Sequence, residues 1–189
     1  MASAMLDAYF SRLEHILVLL AAFSPLELAD GELCSHIGAN WGCKFRALFC
    51  LNTDLRAKRV YDSLKTIKED LRNPASHGGF LKNGESLLFH SEAGAIPVLL
   101  TRVKTGFEFH VTPVPPATFD EVCDVLDDTD AFFKQSALAD GFAYVVAGLD
   151  VAFDPRSREQ YRKEMDSGDF DAFIERQAYI QDMHSNMDY

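Results

Sequence analysis

Basic residues are in short supply. The 189-residue chain has 18 Lys and Arg against 29 Asp and Glu, a net charge of −11. Taken as a whole, such a molecule repels phosphate backbones, which excludes a general nucleic-acid coat protein. Cysteine is sparse as well. Cys34, Cys43, Cys50 and Cys123 form no CxxC pair and no dense framework, so they read as reduced thiols of a cytoplasmic protein. Cys34 and His36 lie close together, but no other spacing completes a zinc site. Long apolar runs are missing too. The longest, residues 16–23, is eight residues, far short of the ~20 that span a bilayer. Asp7, Arg12 and Glu14 break up the approach to that run, against a signal peptide, and no membrane partner is expected. Eleven Gly and seven Pro are too few for a fibrous or low-complexity chain.

What is present is a core. Hydrophobic residues make up 48% of the chain, with 15 Phe and six Tyr, which excludes disorder. Length suggests one domain with at most a modest appendage. The charge is unevenly spread. Between Lys44 and Lys82 nine basic residues (Lys44, Arg46, Arg56, Lys58, Arg59, Lys65, Lys68, Arg72, Lys82) face four acidic ones (Asp54, Asp62, Glu69, Asp70), a net +5. The remainder carries 9 basic and 25 acidic residues, a net −16. One basic segment in an acidic protein is the pattern of a local anion site, although a solvated helix face accounts for the charge by itself.

Apolar residues at Leu6, Tyr9, Phe10, Leu13, Ile16, Leu17, Leu20 and Phe23 follow a 3.6-residue period, predicting a core-facing helix over about 5–23, stopped by Ser24-Pro25. A short helix is expected near 31–37. Trp41, Phe45, Leu48 and Phe49 mark a second apolar face, with Trp41 read as core. Val60, Leu64, Ile67 and Leu71 sit at helical spacing in a third helix over about 55–71, whose other faces carry most of the basic residues. Within 86–113 the period changes, predicting a small antiparallel β-meander with turns at 92–94 and 104–106. Thr118 to Glu121 reads as a capping box opening a long helix that bends near Gly141. One or two charged amphipathic helices follow Pro155. The expected architecture is mainly α: a four-helix-bundle-like core over 1–150 with an inserted β-meander, and a helical C-terminal extension over 151–189.

The strongest chemical signal closes the basic segment: Arg72, Asn73, Pro74, Ala75, Ser76, His77, then Gly78 and Gly79. Arginine supplies a permanent planar cation with several N–H donors, suited to a phosphate or a phosphorane. Histidine supplies a proton donor or acceptor near neutrality, and asparagine orients either group. These are the parts needed for metal-free RNA cleavage, in which a ribose 2′-OH attacks the adjacent phosphate and the leaving 5′-oxygen is protonated. Five residues along an unbroken helix rotate two side chains about 140° apart, so Arg72 and His77 do not share a helix face. The break at Asn73-Pro74, or a second subunit, is what would let them converge. A turn-starting Asn-Pro with a capping Arg and an exposed His is the plain structural alternative.

Arg-Asn-x-x-x-His closing a helix and followed by glycine resembles the signature of the HEPN superfamily of small helical bundles. The lead-in from Lys65 to Gly78 is close to the usual one, and Tyr9 to His15 resembles the opening helix of HEPN-like bacterial proteins. The likeness covers about 5–80 and the helix from Thr118, and leaves out the β-meander and the tail after Asp150. It implies a metal-independent endoribonuclease without cofactor, often of a toxin–antitoxin or phage-defence system, acting as a homodimer with two facing motifs. Arg72 would stabilise the phosphate, His77 would be the acid/base, and Asn73 the supporting polar residue. The implied partners are RNA and an antitoxin or regulatory protein. Some members of that superfamily bind RNA or nucleotides without cutting, so a non-catalytic binding module stands beside the enzyme.

Other residues offer lesser roles. Lys44 and Arg46 near Trp41 suit a phosphate-and-stacking surface, and Lys65 and Lys68 complete the expected phosphate-binding set. Glu14 is placed to pair with Arg72 or simply to face solvent. Glu108 and His110 alternate on a polar strand face. Asp120, Asp124, Asp127, Asp128 and Asp130 match no calcium loop and read as an acidic solvated helix face.

Overall fold

The computed structural model describes residues 2–28, 31–69, 85–91, 94–103, 106–110 and 116–187. The chain is mainly helical. The described helices are α1 (Ala2–Leu20), α2 (Glu32–Gly38), α3 (Trp41–Leu48), α4 (Leu55–Ile67), α5 (Pro116–Phe133), α6 (Ala139–Val146), α7 (Pro155–Ser167) and α8 (Phe170–Met187), with a 3-10 turn at Ala21–Phe23. Among the described residues no helix is long and apolar enough to cross a membrane. The chain divides into two compact units: residues 1–11 with 58–129, and residues 12–57 with 130–189.

The first unit holds the start of α1, most of α4, the strands and most of α5. Leu6 and Phe10, Val60, Leu64 and Ile67, and Val122 and Leu126 are the buried positions on its three helices, each set at helical spacing. The Tyr9 hydroxyl donates to the Leu126 carbonyl at 3.2 Å, tying α1 to α5. Thr129 is fully buried because its hydroxyl donates to the Val125 carbonyl at 2.8 Å, so the polar atom carries its own partner inside. Strands β1 (Glu85–Ser91), β2 (Gly94–Val103) and β3 (Gly106–His110) pair antiparallel in the order β1-β2-β3. Pro97 lies in the central strand, opposite Leu88. Among the described residues the pairing with β3 runs from Leu99↔His110 to Val103↔Gly106.

Helix α5 begins two residues before the expected cap: Thr118 lies inside it, and Pro116 opens it. Proline at a first helical position has a preset φ and no N–H to leave unpaired, so the Pro-Pro pair outweighs the capping box.

The second unit is built on two aromatic groups. Phe45, Phe49, Phe132, Phe133 and Phe142 form the first, with Phe133 and Phe142 stacked at 5.2 Å. The second packs Phe23 with Tyr144, Leu149, Tyr161, Phe170 and Phe173, drawing α6, α7 and α8 onto the end of α1. Phe23 and Tyr161 stack at 4.5 Å. The bend expected at Gly141 lies earlier, in the turn 134–138, and Gly141 is interior to α6. Its role is a close approach: a Cβ there would stand 2.7 Å from both Cβ and Cγ of Phe23. Glycine is what lets α6 lie against that ring.

The connections are pinned by side chains. The buried Tyr144 phenol donates to the Asp150 carbonyl at 3.2 Å, and the Tyr161 hydroxyl accepts from the Ala152 N–H at 3.1 Å. Burial, foremost, holds the Tyr144 pKa well above its ordinary value. Asp154 caps α7, its carboxylate accepting from the Arg156 and Ser157 N–H groups at 3.1 Å, and Pro155 follows it. Gly168 ends α7 with φ +76°, the left-handed conformation that spares an L side chain. The expected C-terminal helices are thus two, and both supply core residues to this unit.

Candidate anion-binding and catalytic residues

Helix α4 is the element that carries the basic residues toward the Arg72 motif. It starts where the Asp54 carboxylate accepts the N–H groups of Arg56 and Ala57, each at 2.9 Å. Ala57, Val60, Leu64 and Ile67 are buried, leaving Lys58, Arg59 and Lys65 on exposed faces. Lys58 and Lys65 are seven residues apart and so stand nearly in line along the helix, about 20° from each other. Exposed Asp62 sits between them at helical spacing and offsets part of their field. After Ile67 the backbone widens into a π-type turn at 68–69. Lys68 there is half-buried, its ammonium 5.5 Å from the centre of the Phe10 ring, a cation–π contact.

Arg72, Asn73 and His77 lie outside the described residues, as does any pairing of Arg72 with Glu14, which is itself half-buried on α1. The described helical backbone stops at Glu69, three residues before Arg72.

The other two expected phosphate contacts are on α3, in the second unit. Asn40 caps this helix by accepting the Cys43 N–H at 3.0 Å. Trp41 and Phe45 turn into the core, as the reading of Trp41 anticipates. Arg46 is exposed and donates from Nη2 to the Cys43 sulfur at 3.5 Å. Lys44 is 4% exposed and lies on the inner side of α3 with Phe45, so most of its stem is packed against the core. Residues one apart on a helix are only about 100° from each other, so a Lys beside a buried Phe readily falls within the inner arc. Arg56, also basic, is engaged: its Nη1 donates to the Gln135 carbonyl oxygen of the side chain at 2.6 Å.

His36 is buried, with Nε2 3.3 Å from the Leu17 carbonyl. A carbonyl only accepts, so Nε2 carries the proton and gives the buried ring a partner on the Leu17 carbonyl. Cys34 beside it is exposed. Among the described residues, no three His, Cys, Asp or Glu side chains gather as metal ligands. Exposed Cys50 has its thiol pKa lowered, chiefly by the Thr53 hydroxyl and then by the Asn52 and Thr53 N–H groups. Asp120, Asp124, Asp127 and Asp128 are exposed along α5, while Asp130 pairs with Arg12 at 3.2 Å.

One charged side chain escapes the sequence reading altogether. Arg158 of α7 is buried, and its Nη2 donates to the Ser24 carbonyl at 3.3 Å and to the Leu26 carbonyl. Its Nε finds no partner among the described residues. Burial lowers its pKa, Arg162 adds to that, and Glu27 opposes it. The available signal was spacing: Arg158 stands one turn before the core residue Tyr161, on the same side of the helix.

No protein-family model, no curated protein and no solved structure matches this chain.

Proposed function

We propose that this protein is a metal-independent endoribonuclease that cleaves RNA by attack of a ribose 2′-OH on the adjacent phosphate. The observation that carries the reading is the run Arg72-Asn73 to His77 at the end of the net +5 segment, with its likeness to the HEPN motif. In that role Arg72 binds the phosphate and steadies its growing negative charge. His77 exchanges the proton of the 2′-OH or of the leaving 5′-oxygen, and Asn73 orients them. The exposed Lys58, Arg59 and Lys65 of α4 support it by placing positive charge on the helix leading to the motif. The reading takes the helical core as a HEPN-like four-helix bundle with the β-meander inserted. It sets the protein in the cytoplasm as a homodimer whose two motifs face each other, in a toxin–antitoxin or phage-defence setting with an antitoxin or regulatory partner.

A second reading has an observation of its own. With Arg56 bonded to Gln135 and Asp62 set between Lys58 and Lys65, the described cations of α4 make a short patch rather than a long track. That favours a non-catalytic module that holds a short RNA, a nucleotide or a protein partner.

The deciding experiment incubates the purified chain with a mixed-sequence oligoribonucleotide in EDTA and maps product ends. The enzyme leaves 2′,3′-cyclic phosphate ends, and His77→Ala and Arg72→Ala each abolish them while circular dichroism and melting temperature hold. Salt-dependent binding without products selects the binding module. Activity that survives His77→Ala removes the imidazole from the mechanism and overturns the proposal.

A further inference from the structure

Among the described residues, the second half of α8 is less covered than the first. Phe170 and Phe173 are buried, and Gln177 and Gln181 are half-buried, so the inner face runs straight up the helix. From there on, Gln181 is the anchor: its amide donates to the Gly148 carbonyl at 3.2 Å and its carbonyl accepts the Asp150 N–H at 3.0 Å. Beyond the buried first half, Tyr179, Ile180 and Met183 are 67%, 44% and 38% exposed, Tyr179 opposite the line of Phe170 and Ile180 at the edge of the inner face, about 20° from the line of Phe173. At 100° per residue these three fall within an arc of about 100°, forming one apolar stripe. The same geometry puts Asp171, Glu175 and Asp182 about 40–80° to one side of Tyr179, and all three are exposed. An apolar stripe thus runs beside an acidic one.

We propose that this face of α8 is a docking surface for a cationic amphipathic helix of a protein partner. Isolated apolar residues on a surface are ordinary, but three in a stripe on a helix that leaves its own core behind mark an interaction site. The acidic flank selects the partner's charge. A second copy of the chain is the poorer occupant. It would bring the same carboxylates, and the only Lys or Arg on α8, Arg176, is already joined to Glu164 at 3.1 Å. A helix laid along α8 would bury its leucines on Tyr179, Ile180 and Met183 and set its lysines against Asp171, Glu175 and Asp182. The surface stands independently of the ribonuclease reading.

The probe is a synthetic helical peptide of Leu and Lys, about 18 residues long so that it can form a stable helix on the surface, alongside its Leu–Glu counterpart. Titration calorimetry at low salt is expected to show the Leu–Lys peptide binding at least about tenfold more tightly than the Leu–Glu peptide. Tyr179→Ser/Ile180→Ser and, separately, Glu175→Lys/Asp182→Lys each weaken it about tenfold, while Asp124→Lys/Asp128→Lys on α5, an equal change of net charge, leaves it within about twofold. Equal loss in the α5 variant means that net charge alone attracts the peptide, and overturns the proposal, as does unchanged binding in the α8 variants. Sedimentation of the chain alone as a dimer that Ile180→Ser dissociates also overturns it, since the occupant is then a second copy.

Discussion

Replacing Gly141 with alanine reverses the usual effect of that substitution. In the interior of an exposed helix, Gly→Ala stabilises by about 1 kcal/mol, because alanine has less backbone freedom to lose. Gly141 is interior to α6 and buried, yet its added methyl would stand 2.7 Å from Phe23 Cβ and Cγ and 3.1 Å from Cδ2. Ordinary carbon contacts lie near 3.5–4.0 Å, so about 1 Å must be found. A flexible side-chain tip would swing aside, but Cβ moves only with the backbone, and Cγ moves only by a χ1 rotation that would take the ring out of its packing. Phe23 is also held by its stack on Tyr161 at 4.5 Å and its contact with Tyr144 at 5.3 Å. Overpacking of a fixed core costs about 1–3 kcal/mol, and this geometry belongs at the upper end. Less the propensity gain, a net loss of about 2 kcal/mol follows, or a melting point lower by about 4–8 °C for a chain of this size. Gly38→Ala is the control, since a Cβ there meets nothing within 4 Å. Urea unfolding followed by far-ultraviolet dichroism gives both values, read as a change of midpoint at constant slope. A Gly141→Ala protein as stable as the wild type would refute the close-approach argument.

Two further predictions concern the same unit. Arg158→Ala is expected to cost about 2–3 kcal/mol in urea unfolding, since it strips the Ser24 and Leu26 carbonyls of their buried donor; an effect under about 0.5 kcal/mol would show that water replaces the guanidinium freely. Asp154 has its carboxyl held below the ordinary 3.8, first by the Ser157 hydroxyl and then by the Ser157 N–H. The sign follows from linkage: the lowered folded pKa adds stability that is complete above the ordinary value and fades as pH falls through the folded one. Asp154→Asn keeps an acceptor for the α7 cap but removes that titration, so the stability difference from wild type should shrink toward acid pH. A gap between the two proteins that is constant from neutral pH down to pH ~2 would sink this assignment.

Helices were legible wherever one face alternates with solvent at a 3.6-residue period. Helices α1, α4 and α5 follow from Leu6 to Leu20, from Val60 to Ile67 and from Val122 to Phe133 because burial alone sets that pattern. Gly141 was misread because a glycine in a helix signals a bend and a tight contact with equal force, and only the position of Phe23 distinguishes them. Thr118 was misread because a capping box and an N-terminal proline compete locally. Lys44 and Arg158 show a common blind spot. Both carry charge, both are buried, and sequence patterning assigns charge to solvent by default. Of the candidate site, the residue types were readable from Arg72 to His77, whereas whether they converge depends on chain direction after Pro74, which no local rule supplies.

The grouping of Phe23 with Phe170 and Phe173 has a consequence during synthesis. Those partners follow about 150 residues later, and translation at about 5–20 residues per second keeps the early ring waiting roughly 7–30 s for the late ones. Until α8 emerges from the ribosome, the end of α1 displays an oily surface that belongs inside. Nascent chains halted before Phe170 should therefore be the species that chaperones hold and proteases clear, even though every earlier helix is already complete.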